Sequence, residues 1–255
     1  MIAVEEHTIK QIPCLVVTEN NKQSIPLPTI IYFHGFTSAK EHNLPLAFLL
    51  AKKGFRVLLP DAYLHGAREE KITEEQLQMS FWKVVLKNIE ELELIKDHLD
   101  EENLIAKDQI GIAGTSMGGI TTSAALRKFD WIKAGAILMG SPKITDFARE
   151  LITVFEQEHN QRIDERELES IFNQLEELDL SKDIPALKER PLFLWHGEAD
   201  QVVPFSHSYS FYKEAKQYYK NEEYIQFSRE ENRDHKVSRS AILDAVTWFC
   251  KHLVN

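Results

Sequence analysis

The chain has 255 residues, 43% hydrophobic and 27% charged, the balance of a globular protein with a sizeable core. A net charge of −10 and a pI near 5.5 exclude the basic footprint of a nucleic-acid binder, whose affinity comes from Lys and Arg neutralising phosphates. Only Cys14 and Cys250 occur, far apart, so the cysteines read as buried filler in a reducing compartment rather than as a disulfide framework.

The opening MIAVEEHTIK lacks the basic start and apolar centre of a signal peptide. No segment approaches the roughly 20 apolar residues that span a bilayer, so the expected location is the cytoplasm, with no membrane partner. Two β-like runs, Ala3 to Ile9 and Ile12 to Thr18, predict an antiparallel edge, and the polar NNKQ before Ser24 predicts a loop. TIIYF after Pro28 and FRVLLP after Gly54 are continuous apolar strands, and the segment from Leu44 to Lys53 between them has helical spacing.

Thr73 with Gln76 has the form of a capping box. Behind it Leu77, Phe81, Val84, Val85, Ile89, Leu92, Ile95 and Leu99 recur every three or four residues, which predicts one long amphipathic helix. A strand QIGIA follows, then a helix from Met117 to about Lys128, a strand AGAILM and, at 191 to 196, a strand PLFLWH. Strands without alternation, separated by helices, predict a mostly parallel α/β sheet buried on both faces.

Between Pro142 and Pro185 the pattern changes. Phe147, Leu151 and Phe155, then Leu168, Ile171, Phe172 and Leu175, mark two amphipathic helices, the second capped by Asp164 with Glu167. Residues 144–180 carry 11 acidic side chains against three arginines, most of the chain's negative excess. The expected organisation is a core of 1–142 and 186–255 with a helical cap insertion at 143–185, its apolar stripe facing inward and its carboxylates in water.

Ser116 lies in Gly114-Thr115-Ser116-Met117-Gly118, a G-x-S-x-G run between the strand QIGIA and a helix. In that setting the serine occupies a sharp bend at the sheet's C-terminal edge, and a side chain two residues to either side would collide with neighbouring backbone. A serine hydroxyl at neutral pH is a poor nucleophile and needs a base, which in turn needs a group to hold it. Gly197-Glu198-Ala199-Asp200 places a carboxylate beyond PLFLWH, and Asp200 is the expected acid. The loop REENRDH, after a strand-like Glu223 to Ser228, delivers His235 just before a last helix from about Val237 to Leu253. His235 is the expected base.

Other candidates compete. His34 and His196 end buried strands in HG pairs, where imidazole commonly ties loops together; His65, His207 and His252 lie in a loop, at a helix start and at a helix end. Asp61, Asp146 and Glu198 are alternative acids. For the substrate oxyanion the expected donors are the backbone N–H groups of Phe36, in His34-Gly35-Phe36, and of Met117 at its helix N-terminus. The expected substrate contacts are Phe36, Tyr63, His65 and Phe147. No H-E-x-x-H spacing and no Walker-type loop is present, so neither metal nor cofactor is expected.

HGFTS, PDAYLHG, GTSMGG, LWHGEAD and DHKVS, in this order, resemble the small bacterial esterases of the α/β-hydrolase superfamily, near dienelactone hydrolases and the catalytic domain of prolyl oligopeptidases. The resemblance spans Thr29 to Phe249. It implies an α/β-hydrolase fold, a triad of Ser116, Asp200 and His235, oxyanion donors at Phe36 and Met117, and ester hydrolysis. Dienelactone hydrolases carry cysteine where this chain has Ser116, and oligopeptidases carry a propeller, so neither activity is expected. The leading expectation is a serine esterase acting on small-molecule esters of short, mostly neutral acyl groups. A thioesterase, deacetylase, acyltransferase or small-peptide hydrolase would use the same three side chains, and the rival of a different class is a catalytically silent binding protein on this fold.

Overall fold

A computed structural model describes residues 1–160 and 162–254, apart from the side chain of Glu167. The chain begins with β1 (Ile2–Ile9) and β2 (Ile12–Glu19), paired antiparallel through a turn in which Lys10 and Gln11 both have positive φ, 48° and 73°. Two such residues make the turn whose twist matches that of the flanking strands. Six further strands follow: β3 (Leu27–Phe33), β4 (Arg56–Pro60), β5 (Ile105–Thr115), β6 (Ala134–Leu138), β7 (Leu192–Gly197) and β8 (Ile225–Glu230). They form one sheet in the order β1-β2-β4-β3-β5-β6-β7-β8, parallel from β4 to β8.

The crossovers put helices on both faces. Against one face pack α3 (Phe81–Glu101), α4 (Met117–Lys128) and α7 (Phe205–Ala215), through side chains such as Ile89, Leu92, Ile120 and Phe211. Against the other pack α1 (Leu44–Ala51) and α8 (Arg239–His252), through Leu46, Leu50, Ala245 and Phe249. Every residue of β4, β6 and β7 is buried, which is why those segments read as unbroken apolar runs.

From β3 the chain goes out to β4 on one side, then returns to β5 on the other. The reversal opens a crevice at the C-terminal ends of β3 and β5, the place where open α/β sheets bind ligands. His34-Gly35-Phe36 leaves β3 there, and Ser116 leaves β5.

Three elements differ from the sequence expectation. The long helix is two: α2 (Glu74–Met79), whose Thr73–Gln76 capping box is present, and α3, divided at Ser80. Ser80 Oγ donates to Gln76 O at 2.8 Å, sharing that acceptor with the Ser80 backbone N–H at 3.1 Å, the kind of back-bond that bends helices. β5 extends outward beyond QIGIA to Ile105, past a left-handed pair at Lys107 and Asp108 where its register with β3 shifts. This outer half is partly exposed and shows no apolar pattern. The last strand begins at Ile225 rather than Glu223, because Glu222–Tyr224 form a 3-10 turn.

Between β6 and β7 lie α5 (Ile144–His159) and α6 (Glu165–Leu178). Asp179 ties the two ends of this pair together: its buried carboxylate accepts from Thr145 N at 2.8 Å and Thr145 Oγ1 at 2.7 Å, and from Ser181 N at 2.9 Å. Asp164 caps α6 by accepting from Arg166 N at 3.0 Å, while the side chain of Glu167, the other half of the expected cap, lies outside the described residues. Among the described residues no helix is long and apolar enough to cross a membrane.

Candidate active site

Ser116 sits at the bend between β5 and α4 with φ 55° and ψ −116°, a left-handed backbone that a serine adopts only where its surroundings force it. The flanking glycines permit the bend. A Cβ on Gly114 would stand 2.2 Å from Gly118 O, and one on Gly118 would stand 2.0 Å from Phe33 O and 2.8 Å from His34 O. The start of α4 therefore lies directly on the exit of β3, and the chain crosses itself too closely for any side chain. Gly35 packs on the serine, a Cβ there falling 3.6 Å from Ser116 Cβ.

The loop after β8 brings His235 to this bend. Its Nε2 is 2.8 Å from Ser116 Oγ, and its Nδ1 is 2.7 Å from Asp200 Oδ2 in the loop after β7. A carboxylate can only accept, so Nδ1 carries the proton and Nε2 presents its lone pair to the serine hydroxyl. Asp200 is buried, and burial alone would raise its pKa. Donation by His196 and His235, and by the amides of Val203 and Val202, outweighs that and holds the carboxyl well below the usual carboxylate range. Asp200 stays ionised at neutral pH and can stabilise positive charge on His235.

His196 is the partner that the sequence does not announce. Its Nε2 faces two acceptors, Asp200 Oδ2 at 3.1 Å and Val203 O at 2.9 Å, while Nδ1 lies 2.9 Å from Ser208 Oγ. It thus pins the Asp200 loop to the start of α7. The HG pair that ends β7 offers only the generic reading of a loop tie, because which oxygen the ring meets depends on how the next four residues turn.

The competing histidines are occupied elsewhere. His34 Nδ1 donates to Gly35 O at 2.7 Å and Nε2 accepts from Ala62 N at 3.0 Å, joining the β3 and β4 exits. Burial pulls its pKa down to about 4, so it stands as a neutral spacer. His207 bridges Ser141 Oγ and Glu150 Oε1, at 3.0 and 3.2 Å, and His252 lies against Trp248 in α8. Of the alternative acids, Asp61 is fully buried and bound to Lys40 Nζ at 2.7 Å and Ala67 N at 2.9 Å; Asp146 faces Arg149, and Glu198 pairs with Arg229.

A cavity of about 240 Å³ opens over Ser116, walled by Phe36, Phe81 and Trp82 on the core side and by Phe147, Leu151 and Ile171 from α5 and α6. Among the described residues, no protein atom engages the amide N–H of Phe36 or of Met117, and both belong to segments that flank Ser116. Two of the four expected substrate contacts, Phe36 and Phe147, line the cavity. Tyr63 and His65 do not. His65 is 2% exposed and lies behind Phe36 with the rings edge to face at 5.3 Å; its Nδ1 donates to Tyr63 O. Tyr63 instead lies beneath Lys83 and Arg68, with its ring centre 5.4 and 5.6 Å from their charges. Val202 and Val203, next to Asp200, and Gln78 and Met79, at the α2–α3 break, line the cavity although no sequence pattern marks them.

This architecture recurs in known proteins. The prolyl oligopeptidase family model matches residues 48–255. The chain is 44% identical to YitV of Bacillus subtilis (strain 168), over 99% of this chain and 100% of that one, and 30% identical to the esterase YjfP of Escherichia coli (strain K12), over 99% and 100%. Among solved structures, TT1662 from Thermus thermophilus superposes with a TM-score of 0.78 at 19% identity, covering 100% of this chain and 99% of that one. An acylaminoacyl peptidase of Pyrococcus horikoshii superposes at 0.70 and 20% identity, over 96% of this chain but only 40% of its own length. A family match over most of the sequence, joined to end-to-end likeness with relatives of the esterase type, places this chain as a serine hydrolase belonging to the prolyl oligopeptidase family.

Proposed function

We propose that the protein hydrolyses carboxylic esters of short, neutral acyl groups through an acyl-enzyme on Ser116, with His235 as general base and acid and Asp200 as its orienting carboxylate. The observation that carries this reading is the unbroken line from Ser116 Oγ, in the lining of an apolar cavity, through His235 to Asp200, 2.8 and 2.7 Å. In the first step Ser116 Oγ bonds to the ester carbon and its proton passes to His235 Nε2. The carbon–oxygen bond to the alcohol then breaks, and the proton on Nε2 goes to the departing alkoxide. Water repeats the sequence: its oxygen bonds to the acyl carbon, one proton passes to Nε2, and that proton returns to Ser116 Oγ as the acid leaves.

Negative charge on the tetrahedral oxygen is met by the amides of Phe36 and Met117, the second at the positive end of α4. In this reading residues 143–185 act as the cap over a core of 1–142 and 186–255, and exclude water from one side of the site. The expected location remains the cytoplasm. Comparing a p-nitrophenyl ester, the matching thioester and an aminoacyl anilide on one preparation tests the assignment. The oxygen ester should give the highest kcat/KM, and turnover should fall by on the order of 10³-fold or more with Ser116→Ala. An anilide turned over faster than the ester would replace this reading with a peptidase.

A further inference from the structure

From the shape of the cavity we infer that the preferred acyl group is a linear saturated chain of six to eight carbons, laid along α5 beneath the α5–α6 pair. The inference rests on the reading of Ser116 as the nucleophile. Phe147, Leu151, Val154, Phe155 and Glu158 all line the cavity and recur on one side of α5. From the first to the last is 11 residues, about 16 Å at 1.5 Å per residue, so the space is a strip rather than a bowl. Its volume of about 240 Å³ holds roughly eight groups the size of a water or a methylene, at about 30 Å³ each. An acetyl group would leave most of that space unfilled.

The walls decide the chemistry of the chain. One wall is a run of edge-to-face rings, Phe36 to Phe81 at 5.3 Å, Phe81 to Trp82 at 5.0 Å and Trp82 to Phe147 at 6.2 Å, rooted in the core and α3. Phe147 carries this run onto α5, and the rest of the α5 and α6 side is apolar: Leu151, Ile152, Val154, Phe155, Leu168 and Ile171. Besides Ser116, the polar groups among the described lining residues are the indole N–H of Trp82, the amide of Gln78, whose Oε1 already meets His159 Nε2 at 3.3 Å, and Glu158, which is exposed to water. The rest of the lining among the described residues is apolar, which favours an unsubstituted hydrocarbon chain, and the acidic surface of 144–180 disfavours a second carboxylate. The alcohol must leave before water attacks, so the apolar strip serves the part that stays through both steps, the acyl group.

The experiment is kcat/KM for p-nitrophenyl acetate, butyrate, hexanoate, octanoate and dodecanoate, each below its aggregation concentration, with Ser116→Ala alongside. Each buried methylene is worth about a three- to fourfold gain, so hexanoate should exceed acetate by on the order of 10²-fold and octanoate by on the order of 10³-fold. Dodecanoate should gain nothing over octanoate, because the roughly eight groups that the volume of about 240 Å³ holds are already in place. Leu151→Trp, which fills the strip midway, should cut the octanoate-to-acetate ratio by about tenfold or more. A maximum at acetate or butyrate, a rise continuing to dodecanoate, a ratio unmoved by Leu151→Trp, or the same length dependence in the alcohol chain of alkyl acetates would each overturn the inference. Those outcomes leave the hydrolase reading intact as long as Ser116→Ala lowers turnover by on the order of 10³-fold or more; near-full turnover in that variant would instead defeat the reading itself.

Discussion

Ser116→Ala and His235→Ala should each lower kcat on a p-nitrophenyl ester by on the order of 10³-fold or more, with folding unchanged. Both side chains are small or partly exposed at the base of a cavity, so truncating them leaves the sheet and its two helix layers untouched. The loss falls on the chemical step. Without Oγ there is no atom to carry the acyl group, and without the imidazole the hydroxyl keeps its proton at neutral pH. In the proposed mechanism the two act as a unit, so the double variant should be scarcely worse than either single one. Near-ultraviolet circular dichroism and the melting temperature establish that each variant is folded; kcat and KM on the same samples give the result. Additive losses in the double variant would mean that the two side chains do not work together.

Gly118→Ala should damage stability and turnover together. The added methyl would stand 2.0 Å from Phe33 O and 2.8 Å from His34 O, both backbone atoms at the exit of β3. Neither can swing aside as a long side chain would, so α4 must slide away from the sheet or the His34–Phe36 loop must lift. Overpacking of this kind costs about 1–3 kcal/mol and occasionally more. Either movement also shifts the amide of Phe36 or Met117 relative to Ser116 by roughly an ångström, a displacement worth about 10² in rate. Denaturant unfolding and kcat on the same preparation should therefore fall together. By contrast, a Cβ at Gly54 would meet nothing within 4 Å, although its φ of 92° carries a backbone cost of its own. Gly54→Ala should lose stability without a matching loss of kcat. Full activity and full stability in Gly118→Ala would show that the close crossing is not what holds the elbow.

Much of this fold can be read from the sequence, because a strand buried on both faces must be apolar throughout. TIIYF, FRVLLP, AGAILM and PLFLWH are such strands, and the order of strands and helices around them sets the sheet. The elbow at Ser116 is legible for a similar reason: Gly114 and Gly118 meet each other and β3 within a few residues of chain, so the constraint is local. His235 and Asp200 can be named from their places after strands. What stays hidden depends on packing between distant segments. His65 and Tyr63 leave β4 in a loop that runs toward the site, yet Phe36, which is 27 residues before Tyr63 in the sequence, comes between them and the cavity. The division of the long helix at Ser80 is equally silent, since the apolar spacing runs straight through it. That break puts Gln78 and Met79 at the cavity. The outer half of β5 is invisible because residues exposed to water carry no burial pattern.

Intact mass of the protein after reaction with a fluorophosphonate, followed by digestion and peptide mapping, tests the central claim most directly, because the reagent is taken up only by a serine that an adjacent base activates. The account predicts one adduct per chain, on Ser116, with uptake nearly abolished in His235→Ala. An adduct on another residue, or undiminished labelling of Ser116 without the imidazole, would contradict it.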